Sequence, residues 1–147
     1  MKKYTFLFAF CLLLALPSFA QTAAEMDALL GAETVSYDQA ARFVLRAADV
    51  ADLSALEAFN FAMEQGWLPK NAGSGDAARL NGLSLLLMQA FELKGGLLYS
   101  ATKSPHYAYR ELEYRGIISG RTDPLMAVTG EQFFYLLGKI LSLTEDA

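Results

Sequence analysis

The chain is short of the residues from which most active sites are built. Its one cysteine, Cys11, falls within the first twenty residues, so residues 21–147 have none. That part of the chain forms no disulfide and offers no thiolate, even in an oxidising compartment. The one histidine, His106, leaves no histidine pair for a metal. As a general base it would need a nucleophile and an orienting partner, and the sequence marks neither. There is no G-x-S-x-G elbow, H-E-x-x-H pair, phosphate loop or calcium loop. Positive charge is scarce as well: 12 Lys and Arg stand against 16 Asp and Glu, a net charge of −4. Such a chain makes a poor general binder of nucleic acid, whose phosphates demand basic patches. These absences point to a non-enzymatic protein with no catalytic residues, no metal ligands, no cofactor and no nucleic-acid partner.

Also missing is an apolar run long enough to span a bilayer, which takes about 20 residues. The run that does occur, Phe6 to Leu16, follows Lys2 and Lys3 and is broken by Pro17. Ser18-Phe19-Ala20 then puts small residues at the two positions a signal peptidase inspects. Residues 1–20 therefore read as a cleaved signal peptide, with Gln21 as the new N-terminus. Cys11 lies inside the apolar run and follows the bulky Phe10, which argues against lipidation there. Export to the periplasm, cell envelope or surface is expected, with no membrane span after cleavage. Residues 21–147 keep ten basic and all sixteen acidic side chains, and their length suits one domain with its own core.

Helix signals recur along that domain. Ser36-x-x-Gln39, Ser54-x-x-Glu57 and Thr129-x-x-Gln132 match capping boxes, in which hydroxyl and amide or acid side chains satisfy free backbone N–H groups. Ser104-Pro105 is a cap followed by proline at the first helical position. Thr22-x-x-Glu25 opens a possible short helix ending at Gly31. Behind these starts the apolar residues recur at helical spacing, as in Tyr37, Ala40, Ala41 and Val44, or Leu80, Leu83, Leu86 and Leu87, or Phe133, Leu136, Leu137 and Ile140. Gly66, Gly95-Gly96 and Gly116 read as stops. Only Leu97 to Ala101 reads as extended, so the fold expected is all-α or nearly so.

A repeat underlies the pattern. Setting Gly66 on Gly116 gives a gapless offset of 50 residues. Phe59 then meets Tyr109, Trp67-Leu68 meets Ile117-Ile118, and Leu83, Leu86 and Leu87 meet Phe133, Leu136 and Leu137. Each unit is a helix, a glycine stop, an apolar pair, a polar loop and a second helix. The helix behind Ser36 matches the second helix of a unit, so units fall at about 22–48, 49–96 and 97–147. Units of this size usually stack to complete a common core.

The last unit carries a resemblance. His106-Tyr107-Ala108, Gly116-Ile117-Ile118-Ser119-Gly120, Asp123-Pro124 and Val128-Thr129-Gly130-Glu131-Gln132-Phe133 resemble the S-layer homology (SLH) family, with its aromatic-alanine helix, G-I-I-x-G turn and Thr-Arg-Ala-Glu-Phe-like helix opening. The likeness covers most of residues 34–143 and is specific only over 104–137. It implies repeated helix pairs packed as a pseudo-threefold bundle that docks on a cell-wall glycopolymer, with grooves near the helix N-termini. A helix start with unpaired N–H groups suits a carboxylate-bearing sugar. Carried over, the ligand-binding residues would be Gly120, Thr129 and Glu131, with Arg121 as a nearby cation. Gly130 stands where the family has its arginine; Ala78-Arg79-Leu80-Asn81 keeps an arginine but lacks the threonine and glutamate.

Other polar and aromatic residues have plainer readings. His106 reads as a surface residue and Trp67 as an apolar cover on the last turn before Gly66. Asp52 belongs to the approach to the Ser54 cap, or shares a cation with Asp49. Glu111 and Glu113, two apart on a helix, cannot face each other. Gly73-Ser74-Gly75 is a loop tip. Two roles follow: a wall-binding module, or a protein-interaction module of the envelope that has lost its sugar contacts. An inhibitor or chaperone on an unrelated helical bundle would require the repeat to be accidental.

Overall fold

Local side-chain chemistry sets where the helices begin. A computed structural model describes residues 21–147; the signal peptide expected at 1–20, with Cys11, lies outside them. Helix α1 covers the described residues 21–30. It is followed by α2 (Tyr37–Ala47), α3 (Ala55–Glu64), α4 (Leu80–Ala90), α5 (Leu97–Thr102), α6 (Pro105–Tyr114) and α7 (Gly130–Glu145). Full capping boxes open α3 and α7: Glu57 N–H donates to Ser54 Oγ at 3.4 Å and Gln132 N–H to Thr129 Oγ1 at 3.2 Å, each returned by the Glu or Gln side chain. At α2 the Gln39 amide oxygen accepts the Ser36 N–H at 3.1 Å, while Gln39 N–H turns to the Asp38 carboxylate at 2.8 Å. Ser104 caps α6 with Pro105 behind it. Among the described residues no strand forms, and the fold is all-α.

The helix ends are more alike than the glycines alone suggest. After α3 and α6, Gly66 (φ 73°) and Gly116 (φ 71°) turn left-handed. Trp67 N–H then reaches Ala62 O at 2.8 Å, and Ile117 N–H reaches Leu112 O at 2.9 Å. The same bond pair ends α2 and α4, with Asp49 (φ 56°) and Glu92 (φ 52°) as the left-handed residues. So α4 stops at Ala90, before Gly95-Gly96. Leu97 to Ala101, read as extended, is helical in α5. Its register is held by Tyr99, which is fully buried, and by the Gly96 N–H donated to Glu111 Oε1 at 2.7 Å. Trp67 folds onto Phe61, ring edge to face at 5.7 Å.

The closest helix packing is α4 against α6 and α2 against α3. Those pairs join the end of one sequence unit to the start of the next, rather than the two helices within a unit. Val44, Leu45, Leu83, Leu86, Leu87, Leu112, Phe133 and Ile140 form the shared core. Phe43 ties α2 to α7, lying edge-on to Phe134 at 5.8 Å.

Three buried residues ahead of α2, α4 and α7 hold the centre. Val35 N–H donates to Val128 O (2.9 Å), Val128 N–H to Ala78 O (2.9 Å), and Ala78 N–H to Val35 O (2.7 Å). Each donates to the next, so the bonds close a cycle. Buried amides with no water must be paired somewhere, and here each segment pairs the other two.

Candidate functional site

The helix starts stand around that cycle. The first N–H of each is already used by a loop carbonyl: Tyr37 by Asp76, Leu80 by Met126 and Gly130 by Ala32, all at 3.0 Å. The second N–H of α2 and of α4 is used as well, Asp38 by Ser74 and Asn81 by Pro124. The expectation that helix starts present unpaired amides therefore fails at these positions: the loop of another segment satisfies them. Any ligand here meets side chains more than backbone.

One junction is open. A groove of about 790 Å³ at the start of α4 is lined by Tyr37, Asn71, Asp76, Arg79, Asn81, Leu125 and neighbouring small residues and prolines. Arg79 caps α4 without a side-chain cap bond, so its guanidinium projects outward and donates to Leu125 O at 2.9 Å. Its N–H donates to Tyr37 Oη at 3.2 Å. Tyr37 is buried, and desolvation raises its phenol above the ordinary tyrosine range, with the nearby Asp76 charge adding to the rise against the Arg79 contacts. The ring fits because residue 82 is glycine; a Cβ there would collide with Tyr37 Oη. Asp76 accepts the Gly73 N–H at 2.8 Å and so shapes the loop. The lining offers one cation, one carboxylate, two amides and a phenol, donors and acceptors suited to a polar, hydroxyl-rich ligand.

The junction at the start of α7 is closed. Gly130, at the start of α7, lies against the C-terminal end of α1. A Cβ on Gly130 would collide with Leu29 O and lie 2.7 Å from Leu30 O. The position where the SLH pattern has arginine thus has no room for any side chain. Carbonyls at the negative end of α1 face the positive end of α7, which is electrostatically favourable. The Glu25–Arg42 ion pair at 3.1 Å fastens α1 to α2 beside it.

None of the four residues singled out from sequence lines the open groove. Thr129 is engaged in its capping box, and Glu131 is exposed in the first turn of α7. Gly120 and Arg121 are exposed in the loop after α6, Arg121 with left-handed backbone (φ 74°). That loop flanks a small apolar cleft of about 120 Å³ between Ser119, Thr122, Met126, Gln132 and Tyr135. Sequence reasoning missed Tyr37, Asn71, Asp76 and Asn81, which line the groove with Arg79. The signal was there in part, because the repeat aligns Ser36-Tyr37-Asp38 with Arg79-Leu80-Asn81.

No family model, curated protein or solved structure matches this chain. Among the described residues no group of three His, Cys, Asp or Glu side chains could hold a metal ion, and no helix is long and apolar enough to cross a membrane. His106 is exposed, its ring edge-on to Tyr107 at 5.1 Å. Asp52 pairs with Arg46 at 2.9 Å rather than sharing a site with Asp49, and this bond lowers its carboxyl below the ordinary range.

Proposed function

We propose that this is an exported, non-enzymatic envelope protein with an SLH-like, pseudo-threefold arrangement, which binds a cell-wall glycopolymer in the groove at the start of α4. The arrangement is supported by the closed hydrogen-bond cycle of Val35, Ala78 and Val128 and by the matching helix starts around it. The glycan reading rests on one observation, a roomy polar groove with the Arg79 guanidinium at its edge. Arg79 would take the carboxylate or phosphate of an acidic sugar unit, while Asn71, Asn81 and Tyr37 would meet hydroxyls.

A second reading has its own support. Because α1 closes the junction at Gly130, the chain fits an envelope adaptor or small subunit whose sugar contacts have been given up. Pull-down with purified cell-wall sacculi, before and after stripping of attached polymers, separates the two. Glycan binding requires retention on intact sacculi, loss on stripping, and a loss of about tenfold or more in Arg79→Ala. Thr129→Ala and Glu131→Ala are expected to bind as wild type. No retention on either preparation would sink the wall-binding reading and leave the adaptor.

A further inference from the structure

A second groove lies beside the one at Arg79. It holds about 520 Å³, and its lining includes Trp67, Gln89, Glu92, Lys94, Tyr99 and Lys103. Two chain segments border both grooves. Trp67 lines this one and Pro69 the other; Lys103 lines this one and Pro105 the other. Residues two apart are separated by at most about 7 Å of extended chain, so the grooves are neighbours across a narrow ridge.

The charges in this lining are free. Lys94 and Lys103 are exposed, and among the described residues neither forms an ion pair. Glu92, the one carboxylate in the lining, is exposed and unpaired as well, so two ammonium groups stand against one acid. Over residues 21–147 sixteen acids outnumber ten bases, which makes this positive excess local. Glu92 (φ 52°) and Lys103 (φ 48°) both have left-handed backbone, where glycine would be favoured, so two of the charged side chains are held here against local preference. Arg115, bonded to Lys94 O, fastens the Lys94 segment to α6.

Aromatic rings complete the groove. Tyr99 is fully buried yet lines it, and so forms its floor; Lys103 Nζ lies 4.6 Å from the centroid of that ring, a cation–π contact that presets the ammonium. The Tyr99 phenol oxygen has no hydrogen-bond partner among the described residues. An unpaired buried hydroxyl is costly, so the chain's own contacts do not satisfy this floor. Trp67 is half-buried, held edge-on by Phe61 at 5.7 Å. An indole beside two free ammonium groups suits a sugar ring that carries an acidic group: the ring covers the aromatic and the acid meets the cations.

We propose that this groove is a second subsite for the acidic glycan held at Arg79, so that the ligand is a polymer with an anionic group on each of two nearby units. The proposal rests on the glycan reading of the Arg79 groove. One acidic unit meets Arg79; another, across the ridge of Pro69 and Pro105, meets Lys94 and Lys103 while its ring covers Trp67.

Trp67 is the chain's one tryptophan, so its fluorescence reads this groove and not the other. The probe is polymer released from purified sacculi by mild acid, titrated into the full chain, with all variants made in one background so that any contribution of residues 1–20 cancels. Bound polymer is expected to shift the Trp67 emission and to shield it from acrylamide quenching. Lys94→Gln with Lys103→Gln, at exposed positions that leave the core intact, is expected to weaken retention on intact sacculi about tenfold, more so at low salt, and to remove the Trp67 response. Arg79→Ala also weakens retention, but Trp67 still responds at higher polymer concentration. Retention that depends on Arg79 while Trp67 stays silent and the lysine variant binds as wild type would overturn this inference and leave the glycan reading standing. Loss confined to the lysine variant would overturn the two-groove arrangement and remove Arg79 from binding, and no retention of wild type would sink both readings.

Discussion

The starts of α4 and α7 are built alike and used differently. Both follow a buried member of the same hydrogen-bond cycle, and both donate their first N–H to a loop carbonyl 3.0 Å away. At α4 the capping position is Arg79, whose side chain leaves the helix and borders a groove. At α7 it is Thr129, whose side chain folds back to Gln132, and the next residue is pressed against α1. One start gives up a capping bond and keeps a cation at a cavity; the other keeps the cap and fills the space with its own chain. Two or three side chains therefore decide how each of these helix starts is used, without altering the backbone cycle.

The largest test of this contrast is Gly130→Ala. The added methyl meets backbone carbonyls at the end of α1, which cannot rotate aside, and it strains the Gly130–Ala32 bond. Overpacking against rigid neighbours costs about 3 kcal/mol, read as a fall in the denaturant midpoint. At α4 the equivalent residue is Leu80, a much larger side chain that is buried without a clash because no α1 lies there. If Gly130→Ala leaves stability unchanged, α1 does not close the junction, and the contrast collapses.

A smaller effect sharpens it. Thr129→Ala removes a cap bond and should cost about 1 kcal/mol. Arg79→Ala removes only an exposed bond to Leu125 O and should cost less, about 0.5 kcal/mol, although it carries the binding phenotype proposed above. Equal losses in urea unfolding would mean that Arg79 is as structural as Thr129.

How much of this was legible depended on whether the cause was local. Ser54, Ser104 and Thr129 announce their helices because capping involves side chains within three residues, and Gly66 and Gly116 announce stops because a left-handed turn favours glycine. The same turn at Asp49 and Glu92 is harder to read, since aspartate favours left-handed backbone only weakly and glutamate does not. α5 was misread because one buried ring, Tyr99, decides a six-residue helix that has no propensity or periodicity of its own to show. The site was least legible. The repeat located the helix starts, but the carbonyls that occupy them come from loops about 40 to 100 residues away along the chain, and so does the α1 end that closes Gly130.

The smallest expected effect concerns pH and again divides the two junctions. Only the open one contains a buried ionisable side chain, Tyr37, whose phenol burial pushes upward. A raised folded value means the native state holds the proton more tightly than the unfolded chain does. The stabilisation is complete below the ordinary tyrosine range, about pH 10, and is lost as pH rises through the higher folded value. Tyr99, pushed up to about 12 by burial, and Tyr109 contribute slopes of the same sign, so Tyr37 supplies only part of the alkaline decline. Tyr37→Phe should therefore make stability fall less steeply above pH 10 without flattening it. A slope identical to wild type would mean that Tyr37 is solvated in solution, and that the groove at Arg79 reaches deeper than its packed floor.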